Sequence, residues 1–212
     1  MANRDELNTR PPAEPPRWHG DAIYPIDTLA HGTWIAATRR GLVLSVLNHN
    51  MEPAPELPAG LVSRGALIPS LADAASMDEV EQSLRALDAS VYAPFRLVVV
   101  EPTGVLMGRW DRARMDFFRY KLPACFVSSG MGDSIASPRL SLFDEVVRRD
   151  PAPGAQDAYH RHAWPSDAME HAGAASVLMR RPDARTHSIT TCEVTPDGQG
   201  GWDVEMAYEP ID

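Results

Sequence analysis

Three groups of side chains in the sequence have types or spacings that could carry out chemistry. His160 and His162 stand two residues apart, a spacing at which both rings of an extended segment can face one side, as ligands do in some metal sites. No cysteine or third histidine stands at a ligand spacing from them, so two ordinary histidines in a solvated loop are the favoured interpretation and no metal site is predicted. Cys125 lies between Ala124 and Phe126, which favours a buried inert thiol over a nucleophile.

A third group is the polar run Asn3-Arg4-Asp5-Glu6. Taken alone, four polar residues at the start of a sequence predict a frayed, solvated end. The standard signatures of other catalytic classes are missing, since the sequence has no GxSxG, no Walker A loop and no HExxH.

Strands in hairpins, with helices in two blocks, are predicted to position these side chains. Ser76 and Glu79 form a capping box that begins a helix, Ser137-Pro138 begins another, and Ser63 is a candidate cap for a third. Prolines crowd the segment Thr9–Gly20, which predicts an extended surface chain because each proline removes a backbone donor. The strand candidates are 33–38, 42–48, 95–101, 105–111, 114–121, 124–128, 176–179, 187–194 and 202–208.

This pattern of antiparallel strands and separate helices indicates an α+β fold with two stacked antiparallel sheets and helices outside. The length of 212 residues fits one domain over residues 1–212. Hydrophobic residues make up 44% and charged residues 23%, which is typical of a globular chain. We expect one short helix and a loop over residues 150–173.

Composition also narrows the function. A formal charge of −9 disfavours nucleic acid as a partner, because phosphate binding needs a basic surface. No apolar run reaches the length of a membrane span, and the first residues do not resemble a secretory signal. Two cysteines and no export signal predict a cytoplasmic protein. No cofactor is predicted, and the sequence does not indicate an oligomeric state.

Several short motifs occur in the order found in one protein family. The sequence resembles the NRDE family, the family of transport and Golgi organisation protein 2, and the matches span essentially the whole chain. The segments that carry the resemblance are Asn3–Glu6, Arg10-Pro11, Gly32–Trp34, Arg40-Gly41, Asn48, Ser63–Ile68, Phe95–Val98, Ser176–Met179 and Ala184–Ile189.

The resemblance implies a fold and a chemistry. The NRDE family is similar to N-terminal-nucleophile (Ntn) hydrolases of the bile-salt and penicillin-acylase type, which cleave amide C–N bonds and have an αββα sandwich. In such a site a terminal cysteine is the nucleophile. Its own α-amine, which titrates near about 8, is the base.

By motif position, the resemblance assigns roles in a pocket. The catalytic residues would be Arg4, Asp5, Asn48 and Arg185, and the substrate-binding residues would be Asn3, Trp34 and Ser129. Arg4 would favour the thiolate, Asp5 would hold the amine, and Asn48 would donate to the oxyanion. Arg185 would be a second pocket cation. Ser129 departs from the family's asparagine, and Leu178-Met179-Arg180 departs from its CMH segment.

The largest departure concerns the start of the sequence. Family members begin Met-Cys and carry the NRDE box at the end of a first strand, whereas Met1-Ala2 stands directly before it here. We therefore expect the first strand and the terminal cysteine to be missing, and with them catalysis by the Ntn mechanism. The missing strand should leave an unpaired sheet edge or an exposed apolar face.

Three hypotheses follow, and they leave open whether the protein is an enzyme. The first is an Ntn-hydrolase-like pocket for a linear amide. The second is a non-catalytic protein that handles haem or an acyl or lipid ligand, because eukaryotic relatives are linked to haem trafficking and acyl-CoA homeostasis. In both, the partner is a small molecule with an amide or carboxylate group. The third is a domain in which the NRDE segment only caps a sheet.

Overall fold

The computed structural model describes residues 1–212, and its ten strands form two antiparallel sheets. In chain order the strands are β1 (Ala2–Leu7), β2 (Glu14–His19), β3 (Ala22–Ile26), β4 (Ile35–Thr38), β5 (Val43–Asn48), β6 (Phe95–Glu101), β7 (Gly104–Trp110), β8 (Met115–Tyr120), β9 (Ala184–Pro196) and β10 (Trp202–Pro210). The larger sheet runs in the order β2-β3-β4-β5-β6-β7-β8, and the smaller in the order β1-β9-β10.

Five helices complete the fold. They are α1 (Leu67–Leu71), α2 (Met77–Ala86), α3 (Pro138–Val146), α4 (Pro153–His160) and α5 (Ala172–Ala175), with short 3-10 turns at 64–66, 89–91 and 133–136. The Ser76 hydroxyl accepts from the Glu79 amide at 3.2 Å, as its cap position predicts, while the Glu79 carboxylate accepts from the Ala75 amide at 2.8 Å. None of the helices is long and apolar enough to cross a bilayer.

The helices lie on the outer faces of the two sheets. Helices α1 and α2 pack on one face of the larger sheet, where Leu44, Leu97 and Leu84 belong to a core of 16 buried residues. The opposite face of that sheet carries a smaller apolar cluster that includes Val98 and Val105. Helices α3 to α5 lie beyond β1 and β9. The prediction of an α+β fold with two antiparallel sheets is confirmed.

The proline-rich segment forms more structure than the sequence indicates. Residues 14–19 make β2, which pairs with β3, and a register shift between Glu14 and Arg17 falls at Pro15 and Pro16. Because β2 lies at the sheet's edge, the missing proline donors cost no interstrand bond on its free side.

Two predicted strands are loops. Residues 124–128 and 176–179 have no assigned strand structure; the first segment packs Ala124 and Phe126 against the larger sheet. Both segments are apolar enough to pack against the rest of the protein, so they are buried or half-buried without joining a ladder. Residues 150–173 hold α4 and the beginning of α5, so the prediction of a single short helix was incomplete.

Candidate functional site

A cavity of about 1000 Å³ lies between the two sheets. Its wall includes β1, the segment 32–35, the inner faces of β5 to β7 and the loop 122–128, and 22 of its 41 residues are hydrophobic. The cavity also reaches past β1 to α3 and α4, where it meets Arg139 and His160. A concave space of this size, lined by slightly more hydrophobic than polar residues, has the character of a small-molecule site.

The polar run Asn3–Glu6 lies within β1, so the prediction of a frayed end is wrong. Every residue of the strand pairs with β9, and a register shift interrupts the ladder between Arg4 and Asp5. Strand alternation turns Arg4 toward the larger sheet and Asn3 and Asp5 toward the helices. The side chains of this run therefore lie in two different environments, one between the sheets and one beneath the helices.

Arg4 is buried, with 4% of its surface exposed, and its Nη2 lies 2.6 Å from Oδ2 of Asp27. The Nε of Arg10 donates to the same oxygen at 3.0 Å, and the amides of Leu29 and Ala30 donate to Oδ1. Burial alone would raise the pKa of Asp27, but the hydrogen bonds from Ala30 and the two guanidinium groups outweigh it, and the pKa is lowered. Asp27 is thus a fixed carboxylate that orients Arg4.

Trp34 supports the other face of the same guanidinium. The central carbon of Arg4 lies 4.8 Å from the centroid of the Trp34 ring, a cation–π arrangement. The Nη1 of Arg4 and the Nε1 of Trp34 are both buried and have no hydrogen-bond partner. Two donors in the cavity wall are therefore unused by the protein.

Asp5 and Asn3 make their contacts on the helix side. Asp5 accepts from the Thr186 hydroxyl at 2.7 Å and from Nη1 of Arg139 at 3.4 Å. Burial raises the pKa of Asp5, although Arg139 opposes the shift. Asn3 donates through Nδ2 to the carbonyls of His160 and Val177.

His160 is fixed by the same asparagine. Because Nδ2 of Asn3 donates to two carbonyls, its Oδ1 is an acceptor, and it lies 2.8 Å from Nδ1 of His160, which must carry the proton. Burial lowers the pKa of His160 to about 3, so the ring is neutral near pH 7. The prediction of a solvated loop histidine is wrong for His160, which is the last residue of α4.

A close glycine contact joins two of the predicted motifs at the cavity. A Cβ on Gly32 would lie 2.4 Å from the carbonyl carbon of Gly65, and the Thr33 amide donates to the Gly65 carbonyl at 3.0 Å. Arg64 and Trp34, which stand beside these glycines in the sequence, both line the cavity. The motif 63–68 contains Arg64, but nothing in its residue types predicts a role for this arginine.

Arg64 is a second cation with few bonds. Its Nη1 donates to the Pro94 carbonyl at 3.0 Å, and no carboxylate lies within ion-pair distance. Burial lowers its pKa, while the charge of Glu6 acts in the opposite direction. Glu6 also lines the cavity. An anion bound at Arg64 would therefore lie near the Glu6 carboxylate.

Of the three remaining predicted site residues, only one lines the cavity. Asn48, at the end of β5, lines the cavity, and its carbonyl accepts from Arg96 at 3.0 Å. Arg185 lies opposite Glu6 in the β1–β9 ladder but outside the cavity wall. Ser129 is also outside the wall; its hydroxyl accepts from the Met131 amide at 3.2 Å, which organises the loop.

Cys125 is the thiol in the cavity wall. Its sulfur lies 3.2 Å from the Tyr159 hydroxyl. Burial raises the pKa of the thiol, although the Tyr159 hydrogen bond opposes the shift, so little thiolate is present at neutral pH. Nowhere in the chain do three or more His, Cys, Asp or Glu side chains cluster as metal ligands would.

The formal charge of the side chains in the cavity wall is opposite in sign to that of the whole chain. Four arginines face three carboxylates, which gives +1 in a chain of net charge −9; the residues are Arg4, Arg10, Arg64 and Arg139 against Asp5, Glu6 and Asp27. Sequence reasoning missed Asp27 and Arg139 altogether. Arg139 directly follows the Ser137-Pro138 helix start, but nothing local distinguishes it from a surface arginine.

A family model described as Transport and Golgi organisation 2 matches residues 1–118, more than half of the 212 residues. The matched region holds β1 to β7 and thus the strand with Arg4, the Gly32–Gly65 contact, Asp27 and Asn48. No curated protein matches the chain.

Proposed function

The chain belongs to the Transport and Golgi organisation 2 family, and from that premise we propose that it binds a small molecule with one anionic group and an apolar body in the cavity between its sheets. The observation that carries this proposal is the unpartnered Nη1 of buried Arg4. A buried guanidinium donor that the protein leaves unpaired is costly. A ligand carboxylate would satisfy it with a charge-assisted hydrogen bond.

The charge and surface of the wall support the same ligand class. A formal charge of +1 matches one negative group, and Arg4 and Arg64 supply donors that Asp27 and Pro94 only partly use. The inner face of the larger sheet offers aliphatic side chains such as Val98 and Val105. Burial of an apolar body against them contributes about 25 cal/mol per Å².

An amide substrate is the hydrolase version of this proposal. The αββα layering and the NRDE motif favour an Ntn-hydrolase-like pocket in which Asn48 would donate to an amide oxygen. Cys125 is poorly suited as a nucleophile, because burial raises its pKa. The geometry therefore favours binding over C–N cleavage by groups within this chain.

Handling of haem or of an acyl or lipid ligand is the alternative role. Each such molecule can combine a carboxylate with an apolar body, and so meets the two requirements of the wall. The free thiols Cys125 and Cys192 support a reducing, cytoplasmic setting for this role.

Calorimetric titration with octanoate and 1-octanol tests the proposal. The two probes share an eight-carbon chain and differ in the anionic group. We expect the native protein to bind octanoate at least about tenfold more tightly, since a hydrogen bond to a charged group is worth about 1.5–3 kcal/mol. Equal affinity for both probes, or no binding of either, contradicts the proposal.

A pair of arginine variants localises the effect. Arg4→Met should remove the preference for octanoate, whereas Arg17→Met should keep it, because the side chain of Arg17 is 62% exposed on β2. Arg4→Lys retains the charge and guards against a folding defect in the methionine variant. It should keep part of the preference.

A further inference from the structure

Four buried polar atoms without a hydrogen-bond partner belong to Arg4, to Trp34 beside it and to two residues of the neighbouring strand β9. They are Nη1 of Arg4, Nε1 of Trp34 and the hydroxyl oxygens of Ser188 and Thr190. Eight such atoms exist in the whole chain, so half of them fall at one place. Ser188 lies in the motif 184–189, which assigns it no role, and Thr190 lies outside every motif.

Strand register brings the four side chains together. Ser188 lies directly opposite Arg4 in the β1–β9 ladder, and Thr190 lies opposite Ala2 on one side and Tyr208 on the other. Residues two apart on a strand face the same side, so both hydroxyls share the face on which Arg4 meets Trp34. The Trp34 and Tyr208 rings, with centroids 6.4 Å apart, bound the group on the β10 side.

Buried polar groups without hydrogen bonds are costly in free energy, so these four groups are expected to bind a ligand. Ser188 and Thr190 are both fully buried, and native proteins pair the great majority of such groups. Each group lost from water without a new bond costs about 1–3 kcal/mol. All four can donate, since an indole, a guanidinium and two hydroxyls each carry a hydrogen on nitrogen or oxygen.

We infer that Arg4, Trp34, Ser188 and Thr190 form the subsite that holds the carboxylate of the ligand. An ionised carboxylate has two oxygens with about four acceptor positions, which matches the number and type of unused donors. The inference rests on the proposed function and deepens it by assigning the head group to a place. Ser188 and Thr190 are fully buried and lie outside the cavity wall, but their ladder partners Arg4 and Ala2 line it. The carboxylate would therefore be the most deeply bound part of the ligand.

Variants of the two hydroxyl residues test the subsite with octanoate and 1-octanol as probes. Ser188→Ala and Thr190→Val each delete one hydroxyl without inserting a new polar group. We expect each to weaken octanoate binding about tenfold or more and to leave 1-octanol binding unchanged. Thr190→Ser keeps the hydroxyl and should bind octanoate as the native protein does.

The control is Thr191→Val on the same strand, because residue 191 faces the other side of β9 and is only partly buried. It should alter neither affinity. Thermal unfolding of every variant without ligand shows whether each is folded.

Two failures are distinguishable. If the native protein prefers octanoate but the Ser188→Ala, Thr190→Val double variant binds it equally well, the hydroxyls do not hold the carboxylate and the subsite is overturned while the proposed function stands. Equal losses for octanoate and 1-octanol overturn it as well, since they indicate a general change of the cavity. If the native protein shows no preference for octanoate, the proposed function and the subsite both fall.

Discussion

Arg4 on β1 and Asp27, the residue that follows β3, form an ion pair of 2.6 Å that joins the two sheets. The contact lies at the cavity and is almost inaccessible to water, since 4% and 10% of the two side chains are exposed. Asp27 uses its other oxygen to cap its own turn through Leu29 and Ala30. One carboxylate therefore fixes a local turn, the position of the smaller sheet and the orientation of the guanidinium that we propose binds ligand.

Replacement of Asp27 by Ala should destabilise the protein strongly. The change leaves Arg4 buried with its charge uncompensated, and breaking a buried pair in this way costs about 3–5 kcal/mol. Urea unfolding followed by circular dichroism measures the loss. The control is Asp21→Ala, because Asp21 is half exposed and lies 3.9 Å from Arg40, and such pairs contribute about 0–1 kcal/mol. If Asp27→Ala lowers the free energy of unfolding no more than Asp21→Ala does, the pair between Arg4 and Asp27 does not hold the two sheets together.

His160 should make stability depend on pH in mildly acidic solution. Its pKa is about 3 in the folded chain because of burial and about 6.5 when unfolded. Between these two pH values the histidine is protonated in the unfolded state and neutral in the folded state. The free energy of unfolding that the neutral ring contributes is therefore complete above about pH 6.5 and is lost as the pH falls toward 3. The expected slope is about 1.4 kcal/mol per pH unit.

A comparison of variants isolates the His160 contribution. His49 and His187 also have lowered pKa values, in both cases first through burial, so the wild-type slope alone is not diagnostic. His160→Gln should flatten the dependence of unfolding free energy on pH between 6.5 and 4, whereas His31→Asn at an exposed position should leave it unchanged. Parallel curves for His160→Gln and wild type would mean that the ring is already solvated.

The regular part of the fold could be predicted from sequence because local signals and tertiary structure agree there. The strand 95–101 is predicted and observed with the same bounds, since a run of valines suits a strand buried on both faces. The helix after Ser76 begins where its cap predicts. Strand β2 was missed because proline argues against a ladder and its edge position cannot be read locally.

The site was only partly predictable for a different physical reason. Motif order points to Arg4, Trp34 and Asn48, and all three line the cavity. Asp27 has no motif around it, and its importance arises only because β3 returns beneath β1. Arg185 belongs to the motif 184–189, yet it lies outside the cavity wall.

Gly32→Ala should destabilise the cavity rim. The new Cβ would lie 2.4 Å from the carbonyl carbon of Gly65, so backbone must move, and overpacking of this kind costs about 1–3 kcal/mol. Gly154→Ala in α4 is the matched control, since no atom lies within 4 Å of its new Cβ and alanine favours a helix. Thermal unfolding should show a lower midpoint for Gly32→Ala only. A Gly32→Ala variant as stable as wild type would mean that the two motifs separate easily.

Cys125 should react slowly with iodoacetamide in the folded protein. Burial raises its pKa, and the Tyr159 hydrogen bond partly offsets that shift, so Tyr159→Phe should slow the reaction further because it removes the group that favours the thiolate. The measurement uses a Cys192→Ala background, mass spectrometry of the alkylated chain and a free thiol as reference. The rate should rise with pH beyond the point at which the reference levels off.

Octanoate should also slow the reaction of Cys125 with iodoacetamide, since Cys125 lines the cavity that the ligand would fill. A thiol that reacts as fast as the reference at pH 7.5 would instead be an activated one, and cleavage chemistry by Cys125 would then displace simple binding as the function of the cavity.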